Sequence, residues 1–137
     1  MTFKRILCAV DLSQPSIAAF ETAVELARPF KAALHVIHVI EADPAVPDLK
    51  LHEKALIAMN ALISPVLETS PDLQLTSEIT TGNPAVETLR CARQRNAQLI
   101  VMGAKGLRLP EEAVFGGTAK QVISDASCSV LVVRAGV

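Results

Sequence analysis

The chain has 137 residues, a formal net charge of −1 and a pI near 6.3, with 50% hydrophobic and 20% charged residues. That length suits one domain over residues 1–137 and can bury a core without metal or disulfide staples, while the near-neutral charge argues against a surface for nucleic acid or anionic membrane. Tyr and Trp are absent, which removes a base-stacking platform. No apolar run nears the ~18 residues of a membrane span, and no small-residue cleavage site follows the N-terminus. A soluble cytoplasmic protein is expected.

Apolar runs and helical patterns alternate along the chain. Ile6 to Val10 is a continuous apolar run closed by Asp11, the pattern of a strand buried on both faces. Ser13 can cap the following helix and Pro15 fits its first turn. Ile17, Phe20, Val24 and Ala27 repeat at helical spacing up to Pro29. A second strand spans about Ala33–Ile40, and residues 42–50, with Pro44 and Pro47, form a loop. Leu56, Met59, Leu62, Ile63 and Val66 mark a second helix that Pro65 should end or kink.

Leu73, Leu75 and Ile79 then alternate with polar residues, the pattern of a strand wet on one face, which places it at a sheet edge. Gly82-Asn83-Pro84 is a turn and helix start, with Val86, Leu89 and Ala92 as the inner face. Leu99 to Met102 is a fourth strand, followed by a glycine-rich loop from Gly103 to Gly117, a helix over about Thr118–Ala126 and a last strand at Val130–Val133. Five strands alternating with four helices imply an α/β fold with one open parallel sheet and helices on both faces. Ligands in such folds bind outside the carboxyl ends of the strands, where the strand order reverses, so the residues after strands one and four matter most.

After strand four the chain reads Gly103-Ala104-Lys105-Gly106, then nine residues, then Gly116-Gly117-Thr118-Ala119-Lys120 entering a helix. Glycines let backbone amides approach an anion closely. Those at a helix start leave N–H groups and the helix dipole facing a phosphate. Thr118 adds a hydroxyl, and Lys105 and Arg108 add charge. The same residues also describe a solvated loop with a glycine helix entry.

The pattern Gly103-x2-Gly106-x9-Gly116 after an apolar strand resembles the nucleotide loop of the universal stress proteins, whose ATP-binding members carry G-x2-G-x9-G-[ST]. The resemblance covers nearly the whole chain. Phe3 to Leu7 with Val10-Asp11 is similar to the family's first strand, Leu34 to Glu41 to its second, Gly82 to Ala85 to its G-[DN]-P turn, and Cys128 to Arg134 to its closing strand. Gly117 stands where ATP-binding members have Ser or Thr, with the hydroxyl one residue later. Ala9 stands where Pro commonly precedes the Val, and Gln98 replaces a frequent Asp.

The resemblance implies a Rossmann-like sheet of the adenine nucleotide alpha-hydrolase type, with strand order 3-2-1-4-5. It also implies an ATP site, with or without Mg²⁺. Ala9, Val10 and Asp11 would lie by adenine and ribose, Val39 would close on the adenine, and Met102 and Gly103 would touch the ribose side. Lys105, Gly106 and Arg108 would meet phosphates, with Gly116, Gly117, Thr118 and Ala119 at the helix start. Asp11 also fits a plain turn partner for Ser13 to Pro15. The closing strand would pair with its twin in a homodimer, hiding an apolar edge.

Other signals fail. There is no G-x-x-x-x-G-K-[ST], and no G-x-G-x-x-G follows the first strand. Cys8, Cys91 and Cys128 are widely spaced without a CxxC, so neither a zinc nor a thioredoxin-like motif is present, and they read as free thiols. His35 and His38 lie three apart on a strand and so point to opposite faces. His38 reads as a satisfied, partly buried histidine and His52 as an exposed one. No Ser-His-Asp order or carboxylate pair suggests a catalytic centre. The leading expectation is a nucleotide-binding regulatory protein of the stress response. The alternatives are a slow ATPase and a nucleotide-free dimeric interaction module.

Overall fold

In the computed structural model, which describes residues 2–104 and 115–134, each apolar run forms a strand of one sheet. The strands are β1 (Arg5–Ala9), β2 (Ala33–Ile40), β3 (Gln74–Thr81), β4 (Leu99–Gly103) and β5 (Ser129–Val133). The helices are α1 (Gln14–Phe30), α2 (Leu49–Thr69), α3 (Pro84–Arg95) and α4 (Gly117–Asp125). The sheet order is β3-β2-β1-β4-β5 with parallel pairing throughout, as expected.

Alternation along the central strands fills both faces. Ile6, Cys8, Val36 and Val101 pack with Phe20 and Val24 of α1 and Met59 of α2 on one face. Leu7, Ile37, Ile100 and Met102 pack with Leu89 of α3 and Val122 of α4 on the other. Full burial of such side chains contributes roughly 1.5–3 kcal/mol each, which is why the middle of the sheet anchors the fold. No residue of β3 is buried, in keeping with its place at the edge.

Several local expectations are corrected. β1 ends at Ala9, although the Val10 N–H still bonds the Ile37 carbonyl at 2.9 Å. α1 runs through Pro29 to Phe30 and is closed by Lys31 in the left-handed region. α2 starts at Leu49, inside the expected loop, because the Asp48 carboxylate accepts from the Lys50 and Leu51 N–H groups. It also continues through Pro65 to Thr69. The carbonyl four residues back, on Ala61, belongs to an exposed residue, so water can replace the lost donor.

Leu56 and Val86 were expected inside and are 47% and 49% exposed. Met59 and Ile63 of α2 and Leu89 and Ala92 of α3 are buried as expected, while Ala55 and Ala85 take the places expected of Leu56 and Val86. α4 begins at Gly117, so Thr118 is its second residue rather than its first.

Candidate functional site

β1 lies at the point where the strand order reverses, and the chain leaves its end through a constrained turn. Leu12 adopts φ 67°, a left-handed conformation that a branched side chain adopts at a cost. Asp11 Oδ1 accepts from the Ser13 N–H at 2.9 Å and from the Ser13 hydroxyl. Ser13 Oγ in turn accepts from the Ser16 N–H at 3.4 Å, capping α1. The turn-partner reading of Asp11 is therefore correct, and the same residue also borders a cleft.

Opposite this turn, β4 ends at Gly103. A Cβ there would sit 2.9 Å from the Pro15 carbonyl carbon and 3.1 Å from its oxygen. Close packing of β4 on α1 thus requires that glycine. Just beyond, the Ala104 N–H bonds the Val133 carbonyl at 2.9 Å, and the Ala104 carbonyl accepts from the Gly116 N–H at 2.7 Å. One residue therefore anchors both the exit from β4 and the return to α4. Gly116 is the N-cap of α4 with no side-chain capping bond, and around Gly117 a Cβ would meet none of the described residues within 4 Å. The first-turn N–H groups of α4 are thus left without a side-chain partner among the described residues.

These termini enclose a cleft of about 830 Å³. β1 and its turn contribute Ala9, Val10 and Asp11; β2 contributes Ile37, His38 and Val39; β4 contributes Met102 and Gly103; and the α4 entry contributes Gly116 to Ala119. His38 Nδ1 donates to the Val10 carbonyl at 2.8 Å, fixing the end of β2 against that of β1 and confirming a partly buried, satisfied histidine. Ten residues expected at a nucleotide site therefore meet in one cavity. Lys105, Gly106 and Arg108 lie outside the described residues.

The sequence reading missed the far walls of the cleft. Leu51, Lys54, Ala55 and Ala58 come from α2, while Pro84 and Thr88 come from α3. Thr88 is 1% exposed; a polar residue on the apolar stripe of α3 was the available signal. Gln98 also has a use of its own. Its Oε1 accepts from the Lys4 N–H at 2.6 Å and the Arg5 N–H at 3.2 Å, holding the start of β1.

A second polar cluster lies where β2, β3 and α3 meet. His35 Nε2 and Cys91 Sγ approach Glu78 Oε1 at 2.8 and 3.2 Å, and His35 Nδ1 lies 2.6 Å from Thr76 Oγ1. Burial pushes the imidazole below its usual range, against the pull of the Glu78 hydrogen bond. Burial, then the Glu78 carboxylate, push the Cys91 thiol up to about 12. For Glu78 itself burial acts upward, yet the His35 and Cys91 hydrogen bonds bring the carboxyl below its ordinary value. As expected, His35 and His38 point to opposite faces, but His35 finds hydrogen-bond partners 41 and 43 residues away in sequence, beyond the reach of any spacing motif.

A family model described as the universal stress protein family matches residues 2–134. The chain belongs to the universal stress protein family. A universal stress protein of Methanocaldococcus jannaschii is 30% identical over 96% of this chain and 82% of its own length. The solved structure of a Lactobacillus plantarum universal stress protein is 31% identical with a TM-score of 0.83, covering 98% of this chain and 99% of that one. An Archaeoglobus fulgidus universal stress protein, solved in complex with dAMP, is 22% identical with a TM-score of 0.75 over 97% and 99% of the two chains. At that identity it is evidence for the fold.

Proposed function

We propose that the cleft binds an adenine nucleotide, ATP with or without Mg²⁺, and that the protein acts as a nucleotide-dependent regulatory member of its family rather than as an enzyme. The observation that carries this reading is the bare N-terminus of α4 opening into the cavity where β1 and β4 end. Backbone N–H groups and the positive end of the helix dipole favour phosphate there. The apolar walls from Ala9, Val39 and Met102 suit a purine ring. The dAMP held by the Archaeoglobus fulgidus relative supports the same ligand class. Lys105, Gly106 and Arg108 are proposed to complete the phosphate contacts.

The closing strand β5 is proposed to pair across a homodimer. It is an edge of the sheet, and Leu131 on it is 37% exposed.

Analysis of the supernatant after heat denaturation of the purified protein tests the ligand. Adenine nucleotide at a substantial fraction of the chain concentration is expected. Release of ADP from added ATP above background would instead assign an ATPase. Neither co-purified nucleotide nor binding of added ATP would leave a nucleotide-free interaction module. Sedimentation at micromolar concentration checks the dimer, which a monomer there would overturn.

A further inference from the structure

Away from the cleft, the described residues bring together one group of mixed metal-ligating side chains: His35 of β2, Glu78 of β3 and Cys91 of α3. Their ligand atoms all lie within 4.8 Å of one another. Two of the separations are 2.8 Å, from His35 Nε2 to Glu78 Oε1, and 3.2 Å, from Cys91 Sγ to that same oxygen. Ligands around a tetrahedral ion with bonds of about 2.0–2.3 Å stand roughly 3.3–3.7 Å apart. Opening the two short separations to that spacing takes a shift of about half an ångström by the Glu78 side chain, with His35 Nε2 and Cys91 Sγ already within 4.8 Å of each other.

The donor set also discriminates. One imidazole nitrogen, one carboxylate oxygen and one thiolate sulfur are the mixture that borderline-soft zinc accepts, and the sulfur disfavours magnesium and calcium. Behind the ring, Thr76 Oγ1 at 2.6 Å from His35 Nδ1 occupies the place of the outer partner that orients a ligating histidine. The His35 side chain is 6% exposed and that of Glu78 is 32% exposed, so the group is closed on the protein side and open at the carboxylate.

We propose that His35 Nε2, Glu78 Oε1 and Cys91 Sγ bind one Zn²⁺ ion, with a water molecule on the solvent side as the fourth ligand. On binding, Cys91 gives its thiol proton to solvent. The His35 proton moves from Nε2 to Nδ1 by way of solvent, and the Thr76 hydroxyl turns from donor to acceptor. Thiolate and carboxylate together balance the charge of the ion. Of the two nearby guanidinium groups, Arg90 lies 3.7 Å from Glu78 Oε2 and is bonded to Glu87 at 3.0 Å, while Arg95 Nε lies 3.9 Å from Glu78 Oε1 and would have to give way to the ion. Such a site ties the exposed edge strand β3 to β2 and α3, one helical turn from Thr88 in the cleft wall.

Titration of the metal-free protein with Co²⁺, followed by Zn²⁺ competition, tests this. One Co²⁺ per chain is expected, with a thiolate-to-cobalt charge-transfer band and the strong visible bands of tetrahedral cobalt, both removed by Zn²⁺. Cys91→Ser should abolish the charge-transfer band. Thr76→Val, which leaves all three ligands in place, should weaken Zn²⁺ about tenfold to a hundredfold. Cys128→Ser should change neither. The proposal is overturned if the wild-type protein gives no charge-transfer band, if the band survives Cys91→Ser, or if it disappears in Cys128→Ser. If Cys91→Ser does not fold by circular dichroism, the wild-type, Thr76→Val and Cys128→Ser titrations still decide.

Discussion

α3 and α4 both begin just past the carboxyl end of a strand, after a glycine, and on the same face of the sheet, yet their first turns are finished differently. At α3, Asn83 Oδ1 accepts from the Val86 N–H at 3.0 Å, and Pro84 has no N–H to satisfy. α1 and α2 are closed in the same manner by Ser13 and Asp48. At α4 the cap is Gly116, which has no side chain to offer. The same physical problem, a helix start with unpaired donors, is solved by a capping side chain at three helices, while among the described residues no side chain caps the fourth. The proposed phosphate site lies at the helix start that has no such cap.

Four substitutions break or sharpen that contrast. The largest effect belongs to the strand that delivers the chain to α4. Gly103→Ala would press a Cβ against the Pro15 backbone at 2.9 Å, so it should destabilise the fold by about 1–3 kcal/mol in denaturant titration. An unchanged midpoint would show that β4 and α1 can separate freely. Next comes Thr118→Ala. A hydrogen bond to a charged group is worth roughly 1.5–3 kcal/mol. Loss of the Thr118 hydroxyl should therefore weaken ATP about tenfold or more in titration calorimetry. Wild-type affinity would leave the phosphate to the backbone N–H groups alone.

Asn83→Ala is the counterpart at α3. It should lower stability by about 1 kcal/mol through the lost cap, with ATP affinity held within about twofold. A large affinity loss there would mean that the two helix starts are not functionally distinct. The smallest effect is expected for Gly117→Ser, because a Cβ at that position meets none of the described residues within 4 Å. Stability should stay within about 0.5 kcal/mol of wild type, and ATP should bind equally or more tightly. Weaker binding would show that the open space at Gly117 is itself needed by the ligand.

The fold was legible because the central strands are buried on both faces. Their continuous apolar runs, such as Ile6 to Cys8 and Leu99 to Met102, contrast openly with the alternating pattern of β3. Helix phase was harder to read. Leu56 and Val86 are apolar, yet the small residues Ala55 and Ala85 beside them are the ones that pack, and their size lets a helix lie close to the sheet. Pro65 does not end α2, whose exposed Ala61 carbonyl can turn to water in place of the lost donor.

Of the candidate site, the strand-end and glycine positions could be read from local motifs. Thr88, Lys54 and the other cleft residues of α2 and α3 could not, since tertiary packing alone brings them there. His35, Glu78 and Cys91 were hidden for the same reason. They are neighbours across three elements, and none lies close to another in sequence.

Amide hydrogen exchange with and without ATP tests the central claim most directly, because it reads both helix starts in one experiment. Slower exchange at Gly117, Thr118 and Ala119 on adding ATP, with the first turn of α3 unchanged, is the result predicted by an uncapped α4 that takes phosphate. ATP binding that leaves those three amides unchanged would contradict it.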